Sequence, residues 1–206
     1  MSVDTNLIKS PYKREKFTAQ QVEEIVKGTQ DPQYFIENFV WIQHPVKGRM
    51  KFDLFDFQKG LLDAYHGHRY SIALISRQMG KSTAAAAYLL WYAMYVPDQT
   101  ILIAAHKYSG AQEIMQRIRF AYELLPDHVR AGVTAYNKGS LEFDNGSRII
   151  AQATTENTGR GLSISLAYLD EFAFVRPTIA REFWTSLSPT LSTGGKCIIT
   201  STPNQD

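Results

Sequence analysis

Between a short apolar strand at Ile72 to Ile75 and a long apolar helix at Lys81 to Tyr95 lies the run Ser76-Arg77-Gln78-Met79-Gly80-Lys81-Ser82-Thr83, and this order of elements constrains the fold more than any other segment. A phosphate-binding loop needs successive backbone N–H groups to wrap the phosphates, a lysine to reach the β and γ oxygens, and a hydroxyl for Mg²⁺ at the positive end of a helix. Gly80, Lys81 and Ser82 fill those roles, and Ser76 to Thr83 form the candidate nucleotide-binding set. In the pattern G-x-x-x-x-G-K-[ST] the first glycine would fall at position 75, where this chain has Ile75, so the match rests on the closing triplet and its context. An ordinary strand-to-helix turn is the competing reading, and a partner motif downstream weighs against it.

That partner is Asp170-Glu171, which ends the strand-like Ile164 to Leu169. Adjacent acids at the mouth of a parallel sheet suit two tasks in phosphoanhydride hydrolysis: Asp170 holds Mg²⁺, and Glu171 orients the water that attacks the γ-phosphorus. Asp-Glu after an apolar stretch also suits a helix N-terminus. The spacing from Lys81 leaves room for a strand, a helix and a hairpin, as expected where the acid-bearing strand lies beside the phosphate-loop strand without following it in sequence.

The remaining pattern predicts an α/β fold with a mainly parallel central sheet covered by helices and one antiparallel hairpin excursion. A helix that is apolar on nearly every side, as Lys81 to Tyr95 is, must be buried. Ile101 to Ala105 reads as the next strand, followed by a helix with Ala111, Ile114, Met115, Ile118, Ala121 and Leu125 on one stripe. Leu141 to Phe143 and Arg148 to Ile150 flank Asp144-Asn145-Gly146, where Asn-Gly suits the positive-φ positions of a tight turn. Ser165 to Leu169 and Lys196 to Thr200 supply two further strands, with helix-like residues 178–187 between them.

Upstream, residues 1–33 read as a mobile lead-in through residue 17 and a short helix, which Thr18 and Gln21 open as a capping box and which ends near Gly28. Residues 34–206 read as the core, with Tyr34, Phe35, Phe39, Trp41, Phe52, Phe55 and Phe57 packing over it. The whole chain's 206 residues, 44% hydrophobic, favour a single core. The formal net charge of +2 neither requires nor excludes a nucleic-acid partner. Cys197 is the only cysteine, which excludes an internal disulfide and a multi-cysteine metal site. No segment reads as a signal peptide or membrane span. The end at Asp206, just after a core strand, reads as a truncation.

Other candidates carry less local signal. Phe57 and Gln58 suit adenine, by stacking and by amide recognition, although Phe57 is equally read as a core aromatic. Thr200-Ser201-Thr202 at a strand end could sense the γ-phosphate or make local turn bonds. Arg77 in the phosphate loop and Arg160 between Gly159 and Gly161 are candidates for stabilising transition-state charge, in cis or toward a neighbouring subunit. His106, Lys107 and Tyr108 suit a loop touching nucleic acid or a solvated turn. His44, His66, His68 and His128 lack the third and fourth ligands of a metal site.

Together these residues resemble the ATPase domain of the large terminase subunit of tailed bacteriophages, of the T4 type. The likeness runs over about residues 34–206. It includes Phe57-Gln58, Ser76 to Thr83, Ala104-Ala105-His106-Lys107, Leu124-Leu125-Pro126-Asp127, Asn137-Lys138-Gly139-Ser140, Asp144-Asn145-Gly146-Ser147, Arg160-Gly161, Asp170-Glu171 and Thr200 to Asn204. The resemblance implies a RecA-like P-loop NTPase of the additional-strand type that uses ATP and Mg²⁺ to move double-stranded viral DNA. It implies adenine recognition near Phe57 and Gln58, and a coupling role for Thr200, Ser201 and Thr202. Implied partners are a portal protein, a small terminase subunit and a procapsid, with several copies in a ring. The implied setting is the cytoplasm of an infected bacterium, transiently at the portal vertex, with no place in the mature virion. Intact members also carry a C-terminal nuclease domain, to which no residue here corresponds. A helicase-type motor and an ATP-binding assembly module with little activity are the alternatives.

Overall fold

From Tyr70 to Glu123 the chain alternates strand and helix, and the hydrophobic periods account for each switch. The computed structural model describes residues 7–203. Two helices, α1 (Ala19–Gln30) and α2 (Pro32–Phe39), lead into a two-stranded hairpin, β1 (Trp41–His44) and β2 (Gly48–Lys51), and then α3 (Asp56–Gly67). The core follows as β3 (Tyr70–Leu74), α4 (Lys81–Tyr95), β4 (Thr100–Ala105), α5 (Tyr108–Glu123), β5 (Val133–Tyr136), β6 (Ser140–Phe143), β7 (Arg148–Ala153), β8 (Leu166–Asp170), α6 (Pro177–Leu191) and β9 (Lys196–Ser201).

The large sheet has the order β3-β9-β8-β4-β7-β6-β5. Its first five strands are parallel, and β6 runs antiparallel to both neighbours. Strand residues alternate between two cores, as a period of two requires. Ile101, Ile103, Leu166, Tyr168 and Ile198 pack with α4 and α5, whereas Leu102, Ala104, Ala167, Leu169 and Cys197 pack with Phe183, Leu187 and Leu191 of α6. By the same alternation Asp170 and Thr200, which are register partners, belong to the α4 face. Helix α4 is buried nearly all round, as its composition demands.

Four expectations need correction. The acid-bearing β8 does not lie beside the phosphate-loop strand: β9 is inserted between β3 and β8, so the Thr200 to Thr202 end of the chain separates the two motifs. The additional strand is therefore β9. The turn after β6 spans four residues, 144–147, and only Gly146 takes a positive φ, of 86°; β5 extends the expected hairpin to three strands. Helix α1 passes Gly28, whose carbonyl accepts from Trp91 Nε1 at 2.8 Å, and ends two residues later at Gln30. Finally, residues 7–17 are docked. The Val133 N–H donates to the Lys9 carbonyl at 3.1 Å, and Arg130 Nη1 to that of Leu7 at 2.8 Å. The capping box at Thr18 and Gln21 forms in both directions.

The turn at Asp144 to Ser147 serves the far end of α4. A helix leaves its last carbonyls without intrahelical donors, and Asn145 Nδ2 donates to two of them, Ala93 O at 2.9 Å and Met94 O at 3.0 Å. Ser147 Oγ donates to Val96 O at 2.7 Å. Asn145→Ala is expected to lower unfolding stability by about 1–2 kcal/mol, since it strands two carbonyls. A urea titration checks this: the midpoint should fall with the slope unchanged.

Candidate functional site

Strand β3 ends at Leu74, and the loop that follows turns through two left-handed residues, Gln78 at φ 63° and Gly80 at φ 71°, before α4 begins. Glycine suits position 80. A side chain there would be strained, and its Cβ would lie 2.7 Å from Gln58 Nε2. The first backbone N–H of the helix to meet a turn carbonyl is that of Ala84, which donates to Gly80 O at 3.0 Å. The N–H groups of residues 78–83 have no acceptor among the described residues, an arrangement that suits an anion.

Lys81 opens α4 and is only 7% exposed. Its Nζ donates to Asp170 Oδ1 at 3.2 Å and, more closely still, to Glu171 Oε1. The ammonium therefore reaches over β9 to the end of β8, and the structure brings the phosphate loop and the acid pair into one site.

The end of β9 holds the other side of the acids. Thr200 Oγ1 donates to Asp170 Oδ1 at 2.9 Å and shares a 2.9 Å bond with the hydroxyl of buried Tyr168. Glu171 sits in a left-handed conformation at φ 51°, a costly one for a non-glycine residue. It is held there through Oε2, which accepts from Thr202 N–H and Thr202 Oγ1 at 3.0 Å each and from Ser201 Oγ at 3.4 Å. Burial alone would push the Glu171 carboxyl up. The hydrogen bonds from Lys81 and from Thr202 outweigh it and hold the pKa below the ordinary carboxylate value.

The loop also forms one wall of a cavity of about 990 Å³. Ser76, Gln78 and Met79 through Thr83 line it from below, and Ile42, His44, Pro45, Met50 and Phe52 of the β1–β2 hairpin region from above. Phe57 lines it too, half-exposed and stacked on Phe55 at 5.9 Å with an interplanar angle of 11°. Gln58, 2% exposed, lies in the first turn of α3 rather than before it. Its amide is bound on both sides: Oε1 accepts from Phe55 N–H at 3.0 Å, and Nε2 donates toward Met79 O at 3.4 Å. That geometry braces the phosphate loop.

Arg77 and Arg160 are exposed, and neither guanidinium has a hydrogen-bond or ion-pair partner among the described residues. Arg160 stands in a loop between Gly159 at φ 77° and Gly161 at φ 76°. Neither lines the cavity. Asn204 lies outside the described residues. Sequence reasoning missed Tyr168 and Arg117. Tyr168 reads there as one more apolar strand residue, and Arg117 as one arginine on the outer stripe of α5.

Comparison with known proteins bears on the family and the fold. Residues 72–206 match the family model described as terminase large subunit, T4likevirus-type, N-terminal. Among solved structures, the HK97 bacteriophage large terminase superposes with a TM-score of 0.66 at 22% identity, over 84% of this chain and 37% of that one. The Thermus phage P74-26 large terminase ATPase domain gives 0.55 at 21% identity, over 74% of this chain and 66% of that one. The large terminase of a thermophilic bacteriophage, solved in complex with ADP, gives 0.57 at 13% identity, over 73% of this chain and 39% of that one. At such identities the likeness speaks to the fold, and the chain spans less than two thirds of each of these structures.

Proposed function

Because the chain belongs to the T4likevirus-type terminase large-subunit N-terminal family, we propose that it is the ATP-hydrolysing part of a motor that drives double-stranded viral DNA into a procapsid. One observation carries the reading: Lys81, at the mouth of an N–H-lined loop, is ion-paired to both Asp170 and Glu171. An acid pair held by the loop's own lysine is what a triphosphate would have to enter and rearrange.

In this reading the phosphates take the free N–H groups of residues 78–83, and the γ-phosphate draws Lys81 away from the acids. Glu171, ionised and released from Lys81, accepts a proton from the attacking water as its oxygen bonds to the γ-phosphorus and the bond to ADP breaks. The residues present fit Mg²⁺, which keeps most of its waters and needs one or two protein oxygens. Asp170 Oδ2 and the Ser82 hydroxyl have no hydrogen-bond partner among the described residues, and these two groups would hold the ion. When bound, Mg²⁺ would neutralise charge on the phosphate oxygens.

Thr202 and Ser201 hold Glu171, and Thr200 holds Asp170, so a change at the γ-phosphate would reach β9 directly. That supports a coupling role for the three residues. Phe57 suits the adenine, and Arg77 or Arg160 would complete the site in cis or from a neighbouring copy in a ring. The portal protein, small terminase subunit and procapsid are the proposed partners, in the cytoplasm of an infected bacterium.

Steady-state phosphate release, measured over a range of protein concentrations with and without linear double-stranded DNA, tests the proposal. Mg²⁺-dependent ATP hydrolysis that rises with DNA or with protein concentration is expected. Absence of ATP binding at millimolar nucleotide by calorimetry would overturn it.

A further inference from the structure

Two cations on the cavity wall, Lys47 and Arg117, are unused by the phosphate machinery just described, and only Arg117 touches the loop. Arg117, on α5, lines the cavity beside the loop, and its Nη1 donates to Thr83 Oγ1 at 3.1 Å. It makes no ion pair with any described carboxylate. Glu113, one turn earlier, shares with it only the wall of an adjoining cleft of about 430 Å³. An unneutralised guanidinium in a cavity attracts an anion, and its planar fork suits phosphate oxygens.

Geometry says which oxygens. Lys81, Ser82 and Thr83 step round α4 by about 100° each. Lys81 reaches the acids at the end of β8, and Thr83, about 200° further round, meets α5. The chain of free N–H groups ends at Thr83, because the next one, at Ala84, is satisfied by Gly80. A polyphosphate laid along that cradle has its terminal group at the Lys81 and Glu171 end, where water is activated. Its other end, where the phosphate joins the nucleoside, then lies at Thr83.

We propose that Arg117 binds the α-phosphoryl group of the nucleotide, so that α5 as well as the phosphate loop closes on the substrate. The assignment rests on the phosphate-loop reading above. It gives the site a cation at each end of the triphosphate, and it ties α5 to nucleotide occupancy.

Calorimetric titration of wild type, Arg117→Ala and Arg117→Lys with ATP, ADP and pyrophosphate tests it, with the nucleotide-free melting temperature recorded for each. Arg117→Ala is expected to weaken ATP and ADP binding by about 10-fold, the size of one charge-assisted hydrogen bond. Pyrophosphate, which lacks the nucleoside-linked phosphate, should bind as it does to wild type, and Arg117→Lys should recover part of the loss. The melting temperature should not change. Unchanged affinity for ATP and ADP in Arg117→Ala overturns the assignment, as does an equal loss for pyrophosphate or a fall in melting temperature that accompanies the lost affinity. If wild type itself binds no ATP, the phosphate-loop reading fails with it; if wild type binds and Arg117→Ala matches it, only the role of Arg117 fails.

Discussion

Glu171→Gln is expected to lower ATP turnover by about 100- to 10,000-fold, the range over which a positioned general base acts, while ATP affinity stays equal to wild type or becomes tighter. In the proposed mechanism the Glu171 carboxylate takes the water's proton, and its depressed pKa keeps it ionised at neutral pH. Affinity should not fall, because Glu171 competes with the phosphates for Lys81 in the free protein. The amide competes more weakly. Single-turnover hydrolysis alongside equilibrium binding separates the two effects, and near-normal turnover with intact binding would remove Glu171 from the catalytic role.

Lys81→Ala should do the reverse and abolish binding, raising the ATP dissociation constant by about 100-fold or more through the loss of two charge-assisted contacts to phosphate. It should also destabilise the nucleotide-free protein. Asp170 is 9% exposed, and losing the ammonium leaves it charged beside Glu171 with no cation. Removing one partner of a buried pair costs more than the pair contributes. Nucleotide titration and thermal melting of the same sample provide both numbers; wild-type affinity in this variant would end the phosphate-loop assignment.

Much of the site was legible because its parts are local. Gly80, Lys81 and Ser82 sit next to one another at the start of an apolar helix, and Asp170 and Glu171 sit together at the end of an apolar strand. The helix at Lys81 to Tyr95 was legible to the residue, since few sequences are apolar on all sides by accident. What the sequence concealed is non-local. Nothing in Lys196 to Ser201 says that it enters the sheet between β3 and β8, because parallel pairing leaves no mark of which neighbour a strand chooses. The same holds for Lys9 docking at Val133, more than 120 positions away, and for Arg117, whose significance comes from a contact across two helices. Gln58 reads in the sequence as a group for adenine, and its amide also donates toward Met79 O in the loop, a contact that no spacing between residues 58 and 79 predicts.

Helix α4 is gripped at both ends: by the loop around Gly80 at one, and by the side chain of Asn145 at the other. A rod of 15 residues, about 22 Å long, cannot shorten when its front end shifts. Any axial slide or roll caused by loading the loop must reappear behind it, either as a broken pair of bonds at Asn145 or as a tug on the ribbon of strands at the opposite rim of the sheet. In the proposed motor, one helix and one amide would form a mechanical linkage from the nucleotide site to the far margin of the sheet.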